Sequence, residues 1–333
     1  MRPNLLFAME ASKTRHVFDA ALIARLGQSC TVLSATPTER FDTTEARRLL
    51  AETEILVSGW GCPMIGPEVL QAAPRLKLIA HAAGTVKFTV HPAVYDAGIR
   101  VTHSAEANAV PVAEYTLAAI LFSAKGIFSF RDLYRQDPSR RSSYARMDEP
   151  IGNFRRTIGI VGASRIGRRV IELLRSFEYS VLLYDPFVVA GELEGAELVS
   201  LDTLMARSDV VSVHAPSLPA TRAMIGPRQL KLMQDGATLI NTARGSLIDE
   251  AALVAELETG RIFGVIDVTD PEIPAENSPL FSLPNVFLTP HVAGAIGTER
   301  LRLGLMAVEE IERFVAGQPM LYEVQPELLE RLA

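Results

Sequence analysis

The stretch from Thr157 to Pro186, TIGIVGASRIGRRVIELLRSFEYSVLLYDP, leaves this chain few folds to choose from. Ile158, Ile160 and Val161 form a short β-branched run, as expected of a strand buried on both faces of a parallel sheet. Gly162-Ala163-Ser164-Arg165-Ile166-Gly167 turns the chain. Ile166, Val170, Leu173 and Leu174 then recur at helical spacing. Val181-Leu182-Leu183-Tyr184 reads as a second strand, with Asp185 at its end. Strand, glycine turn, helix, strand and acid, in that order, match the dinucleotide-binding βαβ unit.

Each position has a physical reason. Gly162 permits a tight turn, and Gly167 lets the helix pack closely on the strands. The free N–H groups and dipole at the helix start favour a pyrophosphate. Asp185 stands 18 residues past Gly167, where a carboxylate can accept hydrogen bonds from ribose hydroxyls. It would repel a 2′-phosphate, and Pro186-Phe187-Val188 supplies no arginine to receive one, so NAD is expected over NADP. Ser164 departs from the pattern, since its Cβ crowds a position usually held by glycine. Its hydroxyl can still donate to a phosphate oxygen. A glycine turn alone could be a bare packing turn; the complete unit ending in Asp185 argues against that.

At 333 residues the chain is expected to form about two domains. Its 48% hydrophobic and 22% charged content is that of an ordinary globular protein. A net charge of −6 argues against a nucleic-acid surface. No apolar run is read as a membrane span, and the N-terminal apolar stretch is too short for a signal peptide. Cys30 and Cys62 offer neither a disulfide framework nor metal-ligand spacing. A soluble cytoplasmic protein without a metal is expected.

Residues 1–105 alternate strands with helices. Strands are expected at 5–9, 30–33, 55–58, 76–80 and 99–102, with a turn over His81-Ala82-Ala83-Gly84. This alternation implies a parallel sheet without a phosphate loop of its own. Asn108 and Pro111 fit the start of a long helix reaching about Phe130. Residues 131–150 are polar with two prolines, and are too long for an idle loop; a linker, a flap and a subunit arm are all open. Beyond the glycine unit, strands are expected at 209–214, 237–242, 263–268 and 286–289, and helices at 251–257 and 298–315.

Polar residues stand at or just past the carboxyl ends of successive strands, where open parallel sheets bind ligands. They are His214, Arg244, Asp267, Glu272 and His291. Singly, each has a bland reading: a strand-end histidine, a surface arginine, a buried cap, a solvated loop charge and a satisfied structural histidine. Together they outline hydride-transfer chemistry on a 2-hydroxy acid. That chemistry needs one acid/base near neutral pH, which His291 can be. Glu272 can orient the imidazole, and Arg244 can bind a carboxylate and polarise the reacting oxygen. Asp267 can hydrogen-bond the nicotinamide carboxamide or ribose.

The motifs ANAVPVAE at 107–114, TIGIVGASRIG with YDP, VVSVHAPSLPATRAMI, LINTARGSLIDEAAL, GVIDVTDPE and NVFLTPHVAG resemble those of the D-isomer-specific 2-hydroxyacid dehydrogenase family over nearly the whole chain. The resemblance implies an α/β protein of two Rossmann-like domains. A doubly wound NAD-binding domain, 106–298, is inserted into a flavodoxin-like substrate domain, 1–105 with 299–333, and the active site lies in the cleft. The family's catalytic arginine, glutamate and histidine fall on Arg244, Glu272 and His291. The resemblance also implies that backbone N–H groups near Ala83 and Gly84 hold the substrate carboxylate, with Arg244 and His291. The cofactor set becomes Gly162, Ser164, Arg165, Ile166, Gly167, Asp185, His214, Ala215, Pro216, Thr221, Thr242, Ala243, Arg244, Asp267, His291 and Gly294. The family's dimers imply a homodimer through the NAD-binding domain, with 115–150 as an arm.

Besides Ser164, one feature departs from the family. The acidic run usual after the substrate-loop glycine is replaced by Thr85-Val86-Lys87-Phe88-Thr89. Lys87 facing the pocket would favour a second negative charge on the substrate; facing solvent, it would not. Trp60 is equally open between core and pocket wall. The rival reading is an NAD(H)-sensing, partner-binding protein resembling the corepressor relatives, though every catalytic residue type is present. A formate enzyme is disfavoured because such enzymes, by resemblance, carry glutamine where Glu272 stands; a phosphite enzyme is harder to exclude. The particular 2-hydroxy or 2-keto acid is open.

Overall fold

The computed structural model describes residues 2–327; Met1 and 328–333, the end of the expected tail segment, lie outside the described residues. The chain divides into two compact units. The described residues of Met1–Asn108 and Ala295–Leu332 form one, and Ala109–Gly294 forms the other. The second is thus inserted into the first along the chain.

The first unit is built on five parallel strands: β1 (Asn4–Ala8), β2 (Thr31–Val32), β3 (Ile55–Ser58), β4 (Leu78–His81) and β5 (Arg100–His103), in the order β2-β1-β3-β4-β5. Side chains alternate across the sheet. Leu5, Phe7, Ile55, Val57 and Leu78 pack with Leu303, Val308 and Ile311 of the helix Arg300–Val315 on one face. Leu6, Ala8, Leu56, Ile79 and Val101 pack on the other with Leu50, Val69 and Val94. Two buried faces explain why these strands read as continuous apolar runs. The helix Arg300–Val315 lies tight on the helix Ala11–Val17: a Cβ at Gly304 would meet the Val17 carbonyl oxygen at 1.9 Å.

The second unit carries seven parallel strands: β6 (Thr157–Val161), β7 (Ser180–Tyr184), β8 (Glu197–Leu198), β9 (Val210–Val213), β10 (Thr238–Asn241), β11 (Phe263–Ile266) and β12 (Val286–Leu288). Their order, β12-β11-β10-β9-β6-β7-β8, is the doubly wound one. The expected fold class is observed in both sheets. Helices Thr44–Glu52, Leu201–Arg207 and Glu250–Glu258 supply crossovers, opened by Thr43, Ser200 and Asp249, whose side chains each accept the backbone N–H three residues on.

Three expectations need correction. The long helix begins at Ala105, not near Asn108, and ends at Ala124. Pro111 lies inside it, while the Asn108 side chain accepts the Ala295 N–H at 3.0 Å and His103 Nδ1 accepts the free Ala105 N–H at 3.1 Å. By length and composition that helix is apolar enough to cross a membrane, against the reading of no such run; half of its apolar stretch is buried within the protein. Residues 131–150 are not plain linker. After a break at Gly126, φ +67°, the helices Ile127–Gln136 and Arg141–Arg146 form. Their apolar residues are only partly covered, so the sequence pattern is faint.

Candidate active site

In the second unit the strand order reverses between β6 and β9, and the crevice beyond their carboxyl ends is where doubly wound sheets bind ligands. Gly162 follows β6 with φ +99°, and a Cβ there would come within 2.6 Å of the Ala215 nitrogen. A Cβ at Gly167 would meet the Gly162 carbonyl oxygen at 2.1 Å. Both glycines are demanded by contact. Ser164 is the N-cap of the helix Arg165–Leu174, its hydroxyl accepting the Gly167 N–H at 3.4 Å. The hydroxyl proton stays available to donate. Arg165 and Ile166 are half-buried in the first turn.

Asp185 ties this turn to β7. One carboxylate oxygen accepts the Ala163 N–H at 2.7 Å and the other the Phe187 N–H at 2.8 Å. Each oxygen retains a lone-pair site for a hydroxyl. A close-approach glycine turn, a capped helix start and a half-buried carboxylate fit a dinucleotide.

The ring of His214, expected in the cofactor set, is turned inward. It is 3% exposed, with Nε2 2.9 Å from Ser212 Oγ. Burial pushes its pKa down to about 3, and Nδ1 has no hydrogen-bond partner. What this segment offers the glycine turn is backbone, at His214 and Ala215 beneath Gly162. Past them, Thr221 Oγ1 donates to the Pro216 carbonyl at 2.6 Å and closes the turn. Thr242 is also turned inward, its hydroxyl 3.1 Å from that of Thr116.

Arg244 follows β10 on a turn held by the buried Asn241. The Asn241 Oδ1 accepts the Ala243 N–H at 3.1 Å, and its Nδ2 donates to the Arg244 carbonyl at 2.9 Å. Arg244 Nη1 donates to the Ala243 carbonyl at 2.6 Å. Burial lowers the guanidinium pKa, and the charge of Glu272 counters that. Gly245 is what lets this turn approach the next loop: a Cβ would lie 2.0 Å from the Thr269 carbonyl carbon. Thr269 Oγ1 in turn holds the Glu272 backbone, donating to the carbonyls of Pro271 and Glu272 at 2.8 and 3.1 Å.

His291 and Glu272 meet, with Nδ1 to Oε1 at 2.5 Å and side chains 46% and 56% exposed. The pair is therefore open to a ligand. His291 has φ +53°, a left-handed conformation that costs a non-glycine residue on the order of 1–2 kcal/mol. Asp267 stabilises it. Its buried carboxylate accepts the Thr289 hydroxyl at 2.6 Å and the N–H groups of Val292 and Ala293 at 2.8 and 2.9 Å, and its carbonyl accepts the His291 N–H. Tyr115 OH lies 2.8 Å from Thr289 Oγ1, extending the chain. Asp267, at 2% exposure, organises the histidine loop. Gly294 ends that loop, half-buried.

Residues 117–293 match the model of the D-isomer specific 2-hydroxyacid dehydrogenase family's NAD binding domain. The chain belongs to that family. Glycerate dehydrogenase of Methylorubrum extorquens is 35% identical over 257 residues, 76% of this chain and 80% of that protein. D-3-phosphoglycerate dehydrogenase of Archaeoglobus fulgidus is 34% identical over 77% of this chain but 48% of its own length. This family member spans about half the length of the phosphoglycerate dehydrogenases it matches. The NAD-complexed D-isomer specific 2-hydroxyacid dehydrogenase of Lactobacillus delbrueckii ssp. bulgaricus shares the fold, with a TM-score of 0.78, 24% identity and coverage of 97% of this chain and 100% of that one.

Ala83 and Gly84 belong to the first unit, just past β4. His81 lies within β4, not in the turn expected there. Lys87 is half-buried, and so is Trp60, whose ring lies under the Arg300 guanidinium at 5.4 Å. Asn241, Thr269, Tyr115 and the loop-holding part of Asp267 were not legible as site residues. Each acts through a bond to another loop or strand end, and only Asn241, a polar residue inside the apolar β10, carries a local sign.

Proposed function

We propose that this dehydrogenase-family protein transfers a hydride between NAD and a D-2-hydroxy acid or its 2-keto acid. The His291–Glu272 contact of 2.5 Å, carried on the sheet that holds the dinucleotide-fitting turn, is the observation that supports it. Glu272 on Nδ1 fixes the imidazole tautomer and leaves Nε2 as the proton-exchanging nitrogen. In reduction, His291 gives its proton to the ketone oxygen; in oxidation it takes the hydroxyl proton. Arg244 clamps the substrate carboxylate and polarises the reacting oxygen. The Ala83 and Gly84 N–H groups are proposed as further carboxylate donors. Bound nicotinamide supplies or receives the hydride.

The glycine turn and helix start would hold the pyrophosphate and Asp185 the ribose. Comparing efficiency with NADH and NADPH tests that assignment: the expected result is a clear NADH preference that narrows in Asp185→Ala, and equal use by the wild type would overturn it.

The first experiment is NADH oxidation across a panel of 2-keto acids, plain, branched, aromatic and phosphorylated. Turnover is expected, and His291→Ala or Arg244→Ala should lower it by on the order of 100-fold or more. Full activity in either variant would remove the assignment. A homodimer through the NAD-binding unit and a cytoplasmic location belong to the same proposal. Tyr134, Tyr144, Met147 and Phe154, each half or more exposed on that unit, support the dimer; a monomer by sedimentation would sink it.

A further inference from the structure

Three polar side chains end adjacent strands of the first unit in register: Ser58 on β3, His81 on β4 and His103 on β5. All are buried, at 0%, 3% and 7% exposure. Ser58 Oγ lies 2.9 Å from His81 Nδ1, and the Thr85 backbone is near enough to the same ring to oppose the lowering of its pKa. Burial, with His103 beside it, pushes the His81 pKa down to about 4, so the ring is neutral at pH 7. A polar group so enclosed is costly unless its bonds are made, and here the Ser58 bond braces the strand end from which the turn leaves β4.

That turn hangs from these contacts. The Ala82 N–H donates to the Ser58 carbonyl at 2.8 Å, and the Ala83 carbonyl accepts the Ser104 N–H at 3.0 Å. The Thr85 backbone lies beside the ring. Between these anchors, the Ala83 and Gly84 N–H groups make no hydrogen bond among the described residues. Two adjacent amides left without partners on an otherwise pinned turn are what an anion recognises.

We propose that Ser58 and His81 form a positioning pair for substrate binding: the imidazole, bonded to Ser58 at the β3 end, fixes the end of β4 and keeps the Ala83 and Gly84 amides that follow it presented to the substrate carboxylate. This rests on the hydride-transfer reading of the site. His81 is a positioning residue here, acting through the turn. Ser58 orients the ring.

The test is steady-state kinetics of His81→Phe and Ser58→Ala in the full chain, with NADH affinity measured separately by fluorescence. His81→Phe keeps ring volume and removes the Ser58 bond. The expected result is a KM for the 2-keto acid raised about 10- to 100-fold, with kcat changed less than about threefold and NADH affinity unchanged, the split that marks lost ground-state binding. Ser58→Ala should raise KM less, and the double variant should be no worse than His81→Phe. His81→Asn, which keeps the Ser58 bond, should recover part of the loss. Hydrogen exchange of the 82–88 segment should quicken in His81→Phe while the second unit is unchanged. Wild-type turnover with an unaltered KM and exchange in His81→Phe would overturn the pair. Parallel loss of kcat, KM and NADH affinity would also overturn it, as a general folding effect. Absence of wild-type turnover on every keto acid would overturn the hydride-transfer reading itself.

Discussion

His291 holds a backbone conformation that disfavours any residue with a Cβ, and its ring lands 2.5 Å from Glu272. The cost of one is set against the geometry of the other. Gly245 does the same work on the arginine side, since the Arg244 turn approaches the Thr269 carbonyl closer than a Cβ permits. Gly245→Ala must therefore push the two loops apart. The expected outcome is a loss of about 1–3 kcal/mol in urea-unfolding free energy, with turnover down on the order of 10- to 100-fold as Arg244 and Glu272 separate. Wild-type stability and rate in that variant would mean the loops yield without consequence.

The loop 289–294 is organised by one buried carboxylate. Asp267 receives three donors, one hydroxyl and two backbone N–H groups, and Tyr115 extends the chain to the helix Ala105–Ala124. Asp267→Asn replaces one acceptor oxygen by an NH₂ group that must face a donor. Leaving buried donors unpaired costs about 1–3 kcal/mol. The variant should unfold at lower urea concentration and lose activity without losing the glycine turn, so NADH binding should survive better than kcat. Urea unfolding, with steady-state kinetics beside an NADH titration, checks both halves. The elements themselves were largely readable: strands and helices follow apolar period and capping residues, which are local. The helix start near Ala105 was misread because Pro111 suggested a first turn, while the actual N–H acceptor, His103, lies on the preceding strand.

Both units bury a neutral histidine at a strand's carboxyl end, His81 in the first and His214 in the second, with pKa values of about 4 and about 3. His103 is the titratable neighbour that adds to burial at His81; burial alone acts on His214. In the unfolded chain each titrates near about 6.5. The unfolded state therefore binds more protons below that pH. The stabilisation is fully present above about pH 6.5 and is lost as pH falls toward the folded values. Each site contributes on the order of 3 kcal/mol across that window. Urea unfolding followed from about pH 7 to about pH 4 should show stability falling, and His214→Gln should flatten the fall for the second unit. A flat profile in the wild type would show that these rings are not held neutral.

Much of the candidate site was legible without coordinates. The glycine turn, Asp185, Arg244, Glu272 and His291 announce themselves because turn chemistry, apolar period and placement after a strand are properties of consecutive residues. The two-unit α/β fold comes from the same alternation. What the string of residues could not convey is which polar groups face outward and which are consumed inside. His214 and Asp267 look alike as strand-end polar residues, yet one turns onto Ser212 and the other holds the His291 loop. Nor could it convey that Gly245 fits against Thr269, or that Ser58, His81 and His103 share a register. Those facts depend on segments far apart in sequence meeting at contact distance, and that meeting is set by how strands align within each sheet and how tightly their loops pack.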